Sequence, residues 1–185
     1  MIMGQMLKLI EIDELDLQTL MYWRMLPGVT KYMYTEPQLT IEMQNKWFEG
    51  INNDPTCKHW IIKLENKKIG IVNLTNIDTQ NSRCSWGHYI ADPLLRGKGI
   101  GRILEYNIYD YVLLELKLNK LMVEILAFNE HAISLHEKCG SQIEGILRQH
   151  IKKGNNYYDL VVMGILREKW IEQRKNLDYK KISID

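Results

Sequence analysis

Arg96-Gly97-Lys98-Gly99-Ile100-Gly101-Arg102 is the stretch whose reading decides the fold. Upstream, Arg83-Cys84-Ser85-Trp86-Gly87-His88-Tyr89-Ile90-Ala91 reads as a strand, broken by Asp92-Pro93. Downstream, Ile100, Leu104, Ile108 and Tyr111 recur at helical spacing along one face. The glycines therefore stand where a strand has ended and a helix begins. Free backbone N–H groups meet the positive end of the helix dipole there, with no Cβ atoms to bar a close approach. Such a loop is an anion site suited to a diphosphate, and Arg96, Lys98 and Arg102 add cationic donors.

Working outward, the chain alternates short strands and helices in an α+β order. Residues 7–12 read as an opening strand. Leu15, Leu17, Leu20, Met21 and Trp23 then give a helical stripe stopped near Pro27-Gly28, followed by a Tyr- and Met-rich linker over 29–35. Thr40 is the N-cap of a helix ending at Asn52-Asn53. Strands 60–64 and 69–74 form a hairpin around Asn66-Lys67-Lys68. After the helix at 101–116 come an apolar strand (121–127) and a helix from Asn129 to the terminator Cys139-Gly140. A second hairpin, 143–151 with 157–166, turns on Lys152-Lys153-Gly154-Asn155-Asn156. Residues 167–176 are predicted helical and 177–185 a polar tail.

Bulk properties narrow the classes. At 185 residues, with no repeat or low-complexity linker, one domain is expected. A net charge of +1 suggests neither nucleic acid nor an acidic membrane as partner. No apolar run approaches the roughly 20 residues a membrane span needs, and the start lacks a signal-peptide pattern. Cys57, Cys84 and Cys139 have no metal-ligand spacing, nor do the histidines, so no metal is expected and a reduced, cytoplasmic protein is the simplest reading.

Three phosphate loops compete for the glycines. GxxxxGK[ST] is absent. GxGxxG directly off a strand, with βαβ alternation around it, is not what Gly97-x-Gly99-x-Gly101 offers. Arg96-x-x-Gly99-x-Gly101 meets the third, Arg/Gln-x-x-Gly-x-Gly/Ala, in full. Followed by the apolar strand at 121–127, Asn129 and Leu135-His136-Glu137-Lys138-Cys139-Gly140, it resembles the GNAT-family acyl-CoA N-acyltransferases over residues 60–170.

That resemblance implies a GNAT fold: a mixed, mostly antiparallel sheet flanked by helices and splayed at an acetyl-CoA site. It also implies acceptor-side helices in 1–55 and an acetyl-CoA-binding core in 57–170. The donor would be acetyl-CoA, its pyrophosphate held by residues Arg96, Gly97, Lys98, Gly99, Ile100, Gly101 and Arg102. Its pantetheine arm would pair with Tyr89, Ile90 and Ala91 as a strand would, and contact Asn129, Ala132 and His136. The Ile90 amide would polarise the thioester carbonyl.

Two side chains are candidates for proton transfer. Glu124 interrupts the apolar Met122-Val123-Glu124-Ile125-Leu126, where a carboxylate is costly unless it faces a wet cleft or a partner. It resembles the general base of ribosomal-protein N-terminal acetyltransferases; the other reading is a structural carboxylate. His136 stands where the family string LYEKxGF carries a tyrosine as general acid. An imidazolium can donate to a thiolate, and a structural histidine is the alternative. Trp86, His88 and Ile90 share one face of their strand, and which face meets the acceptor stays open.

The acceptor side is written earlier in the chain. Trp23-Arg24, Lys31-Tyr32-Met33-Tyr34-Thr35 and Asn45-Lys46-Trp47-Phe48 resemble the N-terminus of the pseudaminic-acid-pathway acetyltransferases. The implied acceptor is the 4-amine of a UDP-linked amino sugar, met by Trp23, Arg24, Tyr32, Trp86 and His88. Alternatives are a protein N-terminus, a polyamine, or an acyl-CoA-binding sensor without turnover. The second hairpin offers an edge strand to a possible homodimer.

Overall fold

Local signals place the elements. In the computed structural model, which describes residues 6–185, β1 (Leu7–Glu11) alternates buried Leu7 and Leu9 with Lys8 and Ile10. Asp13 then caps a short turn, accepting from the Leu15 amide at 2.8 Å, and leads into α1 (Leu17–Met25). The Thr40 side chain accepts from the Met43 amide and opens α3 (Ile41–Asn53), as its sequence predicts.

Pro27 does not simply stop the first helix. Leu26 turns extended and Pro27 becomes the first residue of a further helical turn, α2 (Pro27–Thr30). Proline fits there because its missing N–H would be unpaired in any case. The linker predicted over 29–35 is helical at its start for that reason.

The remaining elements are β2 (Lys58–Leu64), β3 (Lys67–Asp78), β4 (Arg83–Ile90), α4 (Ile100–Asp110), β5 (Lys120–Leu126), α5 (Glu130–Cys139), β6 (Gln142–Lys153), β7 (Asn156–Leu166), α6 (Arg167–Gln173) and β8 (Ser183–Ile184). All strands join one sheet in the order β6-β7-β5-β4-β3-β2-β1-β8. Pairing is antiparallel except between β4 and β5 and between β1 and β8. The sheet is mixed, mostly antiparallel and flanked by helices. Among the described residues no helix is long and apolar enough to cross a membrane.

One face carries the main core. Trp86, Ile100, Leu104, Ile108, Leu121, Val123 and Ile125 pack there, so α4 and α5 lie against β4 and β5. The opposite face is thinner: Leu20, Ile61 and Ile71 meet Trp23, Trp47 and Tyr89, under α1 and α3.

Two expectations change at the ends of elements. The helix predicted to run to 116 is α-helical only to Asp110 and widens into a π-helix over Tyr111–Glu115, closed by the Leu116 amide on Tyr111 O at 2.9 Å. Residues 177–185 are not a loose polar tail. Tyr179 donates to Asp110 Oδ2 at 2.6 Å, the Ile182 amide donates to Asn107 Oδ1 at 3.1 Å, and β8 pairs with β1. Asp110 and Asn107 on α4 are buried polar groups, and the C-terminal segment supplies part of their hydrogen bonding.

Candidate active site

The glycine loop uses its glycines in two ways. Gly97 and Gly99 have φ of +73° and +85°, in the left-handed region, and a Cβ on either would point into open space. Gly101 is a packing residue: a Cβ there would sit 2.9 Å from Leu135 Cδ2, so its absence lets α4 close on α5. The first helical bond into the loop is from Ile103 N–H to Gly99 O, at 3.3 Å. The amides of residues 97–102 precede it and have no acceptor among the described residues. They gather where the α4 dipole is positive, which fits a diphosphate.

The three cations of the loop are not equivalent. Lys98 and Arg102 are exposed. Arg96 is tied down: its Nε and Nη2 donate to Ile90 O at 3.3 and 3.2 Å, and Nη2 also reaches Gly28 O at 3.1 Å. Arg96 thus pins the end of β4 to α2.

Beside the loop the sheet splays. β4 and β5 pair only at Arg83↔Lys120, Cys84↔Leu121 and Ser85↔Met122. Beyond that, β4 keeps its pairing with β3 as far as Ile90, while β5 stays with β7 as far as Leu126. A wedge between two strand edges results, fit for an extended chain with amide groups. The Ala91 amide is already donated to Ile69 O at 2.8 Å. Strand alternation therefore turns the Ile90 amide into the wedge and the Ala91 amide away. At the far side, Asn129 caps α5, its Oδ1 accepting from the Ala132 amide at 3.4 Å.

The residues expected to meet an acceptor divide between the two faces. Trp86 and His88 stack at 5.3 Å on the α4/α5 face. Trp23 and Tyr89 pack on the other, with Arg24 close enough for its charge to act on Tyr89. Burial, with neighbouring His136 adding to it, pushes His88 down to about 4, so its ring is neutral at ordinary pH. Arg24 Nη2 donates to Thr35 O at 2.9 Å and Oγ1 at 2.8 Å, while Nη1 is buried with no partner among the described residues. Burial draws its guanidinium below the usual value.

Glu124 is exposed on the α1/α2 side of β5, and Oε2 accepts from Tyr34 O–H at 2.9 Å. Burial first, then the Glu124 charge, raises the Tyr34 phenol, which stays a donor. Next to this pair is a cleft of about 610 Å³ between α2, its following loop and the second hairpin. Phe128 and Tyr158 line it with ring centroids 5.4 Å apart, and Tyr32 packs on Phe128 at 6.0 Å. Lys153 bonds the carbonyls of Thr30 and Lys31 at 3.1 Å and meets Glu36 at 3.0 Å, closing the hairpin onto the loop.

His136 is buried, with Nδ1 2.7 Å from Oε1 of Glu105. Glu105 has no exposure at all and also accepts from Tyr109 O–H. Sequence reasoning passed over Glu105. A signal was present: Ile108, Tyr109 and Val112 follow it at i+3, i+4 and i+7, which puts the carboxylate on an apolar face of its helix, as anomalous there as Glu124 is on its strand.

Residues 9–162 match the family model for an acetyltransferase (GNAT) domain. The acetyltransferase PseH of Campylobacter jejuni is 28% identical over 69% of this chain and 78% of its own length. The spermidine N(1)-acetyltransferase of Escherichia coli is 25% identical over 80% of this chain and 79% of its own. A crystal structure of spermidine N-acetyltransferase from Vibrio cholerae in complex with CoA and spermine superposes with a TM-score of 0.83, covering 89% of this chain and 98% of that one. Its identity of 24% makes that a likeness of fold.

Proposed function

We propose, from the premise that this chain belongs to the GNAT acetyltransferase family, that it acetylates the 4-amino group of a UDP-linked amino sugar. Family membership makes it an acetyl-CoA-dependent N-acetyltransferase of a small-molecule amine. Acetyl-CoA supplies the acetyl group as an activated thioester. The chain's own groups do the rest.

In this reading the amides of residues 97–102 hold the pyrophosphate, with Lys98 and Arg102 at its rim. The edges of β4 and β5 take the pantetheine arm, and the Ile90 amide faces the thioester oxygen as charge builds there. Glu124, steadied by Tyr34, removes the proton from the acceptor amine. His136 donates to the departing thiolate through Nε2, its Nδ1 being engaged by Glu105. His88 and Trp86, on the α4/α5 face, flank His136 and leave the acceptor to Arg24 and the aromatic row.

The observation that carries the acceptor reading is the pair Phe128 and Tyr158 lining the cleft beside Lys31, with Tyr32 packed behind Phe128. Aromatic faces stack a base, and the Lys31 cation suits a diphosphate. A polyamine acceptor is the second reading, favoured by the spermidine acetyltransferase relative and by Glu36 and Glu124 on the same side. Glu36 is neutralised by Lys153, which weighs against an acidic groove.

Titration of UDP into the protein–CoA complex tests the reading. Micromolar binding, weakened about tenfold by Tyr158→Ala, is expected for a stacked base contributing about 1–3 kcal/mol. Absence of UDP binding, with spermidine bound instead, would overturn it.

A further inference from the structure

We infer that Glu105 is a positioning residue that sets His136 for proton delivery to the departing thiolate, an inference resting on the reading of His136 as the general acid. Glu105 Oε1 lies 2.7 Å from His136 Nδ1 and accepts from Tyr109 O–H, which is itself 2.7 Å from Ser141 Oγ. The ring of Trp86 meets the His136 ring edge-on at 5.5 Å. The imidazole is therefore clamped on one side and at one nitrogen. With a carboxylate at Nδ1, the ring keeps a hydrogen there, and Nε2 is left as the atom that exchanges a proton.

The groups facing this pair have settled charges. From β4, His88 is neutral. From α4, Tyr109 is held protonated by burial and by the Glu105 charge. From α5, burial and Glu105 raise the Cys139 thiol, with Arg102 opposing. Glu105 and His136 face each other at 2.7 Å among these groups. A positive ring formed in the cycle would be matched by a carboxylate already in place.

Packing does not account for a carboxylate here. Oε2 is buried with no nitrogen or oxygen donor among the described residues, and only the weakly donating Cys139 thiol is beside the carboxylate, a cost an apolar side chain would avoid. Proton balance is simple. His136 would enter the step as an imidazolium, with Nδ1–H on Glu105. Its Nε2–H bond breaks as the S–H bond of CoA forms, leaving the neutral Nδ1–H ring. The amine proton goes to Glu124, and after product release a proton re-enters at Nε2 while Glu124 gives one up. A histidine in place of the family's tyrosine needs such a partner, because a neutral imidazole has two tautomers and a phenol has none.

The test is a kinetic cycle with Glu105→Gln, His136→Asn and the double variant, where Asn keeps a donor toward residue 105 and loses Nε2. Expected are a fall in kcat of about 10²-fold for each single variant, an acetyl-CoA KM within about twofold of the parent, and no further loss in the double variant. ¹⁵N spectra of the parent, taken at a pH where the ring is neutral, should show the His136 hydrogen on Nδ1, and Glu105→Gln should show both tautomers. If His136→Asn slows turnover and Glu105→Gln does not, or the two losses multiply, the inference fails and the acid reading survives. If His136→Asn leaves kcat intact, the acid reading fails and takes this one with it.

Discussion

Nδ1 of His136 lies 2.7 Å from Oε1 of Glu105 across the seam between α5 and α4, and both groups are shut away from solvent. A buried pair of this kind is asymmetric in its energetics. Removing the charge from both sides is cheap, but stranding a buried carboxylate is not. His136→Phe is expected to lose about 3 kcal/mol in urea unfolding. The same change in a Glu105→Gln background should lose clearly less. Glu105→Gln alone should leave the midpoint unchanged or raise it, since Oε2 has no nitrogen or oxygen donor among the described residues.

Two further histidines govern acid stability. Burial pushes His59 and His88 each down from 6.5 to about 4. Both bind protons more weakly folded than unfolded, so their contribution is intact above about pH 6.5 and declines as pH falls toward 4. Each ring accounts for a loss on the order of 3 kcal/mol across that window. Thermal midpoints measured from pH 7.5 to 4.5 should fall steeply. His59→Phe, which keeps the ring contact with Trp47 at 5.4 Å, should flatten the slope.

The glycines should separate by phenotype. Gly99→Ala strains a residue at φ +85° and, in the proposed reading, places a methyl where the diphosphate would approach. Its acetyl-CoA KM should rise about tenfold, with a stability cost near 1 kcal/mol. Gly101→Ala meets Leu135 at 2.9 Å and should instead lower the melting midpoint, since α4 must shift on α5.

The glycine loop was legible because only glycine suits its dihedrals and because the helix beyond it has a clear apolar period. Thr40 and Asn129 were legible as caps for a similarly local reason. The C-terminal segment was not. Leu177, Tyr179, Ile182 and Ile184 look like stray apolar residues until Asn107 and Asp110, far back in the chain, are seen to need partners. The face on which Trp86 and His88 lie was equally hidden, because strand parity says only that they share one, and the packing of α4 decides which. Glu105 was hidden by its neighbours, being counted as one more residue of an amphipathic helix.

That segment carries a prediction of its own. Asp110 takes Trp170 Nε1 at 3.1 Å and Tyr179 O–H at 2.6 Å, and pairs with Arg174 and Lys181. Deleting residues 177–185 removes two of these partners and uncovers the edge of β1. The melting midpoint should drop by about 5 °C or more, with the acetyl-CoA KM unchanged.

Tyr34→Phe tests the acceptor side. It deletes the 2.9 Å bond to Glu124 and nothing on the donor side. A kcat lowered about tenfold, against about 10²-fold for Glu124→Gln, is expected if Glu124 is the base. Equal acetyl-CoA KM values across parent and variants would confine the effect to the acceptor half.

The acceptor itself is decided by kcat/KM for CoA release with acetyl-CoA and, in parallel, a UDP-4-amino-4,6-dideoxy sugar, spermidine and an N-terminal peptide. The sugar nucleotide should exceed the others by at least about 10²-fold, with the acetyl group found on its 4-amine. Higher kcat/KM with spermidine, and no acetylated sugar, would contradict it.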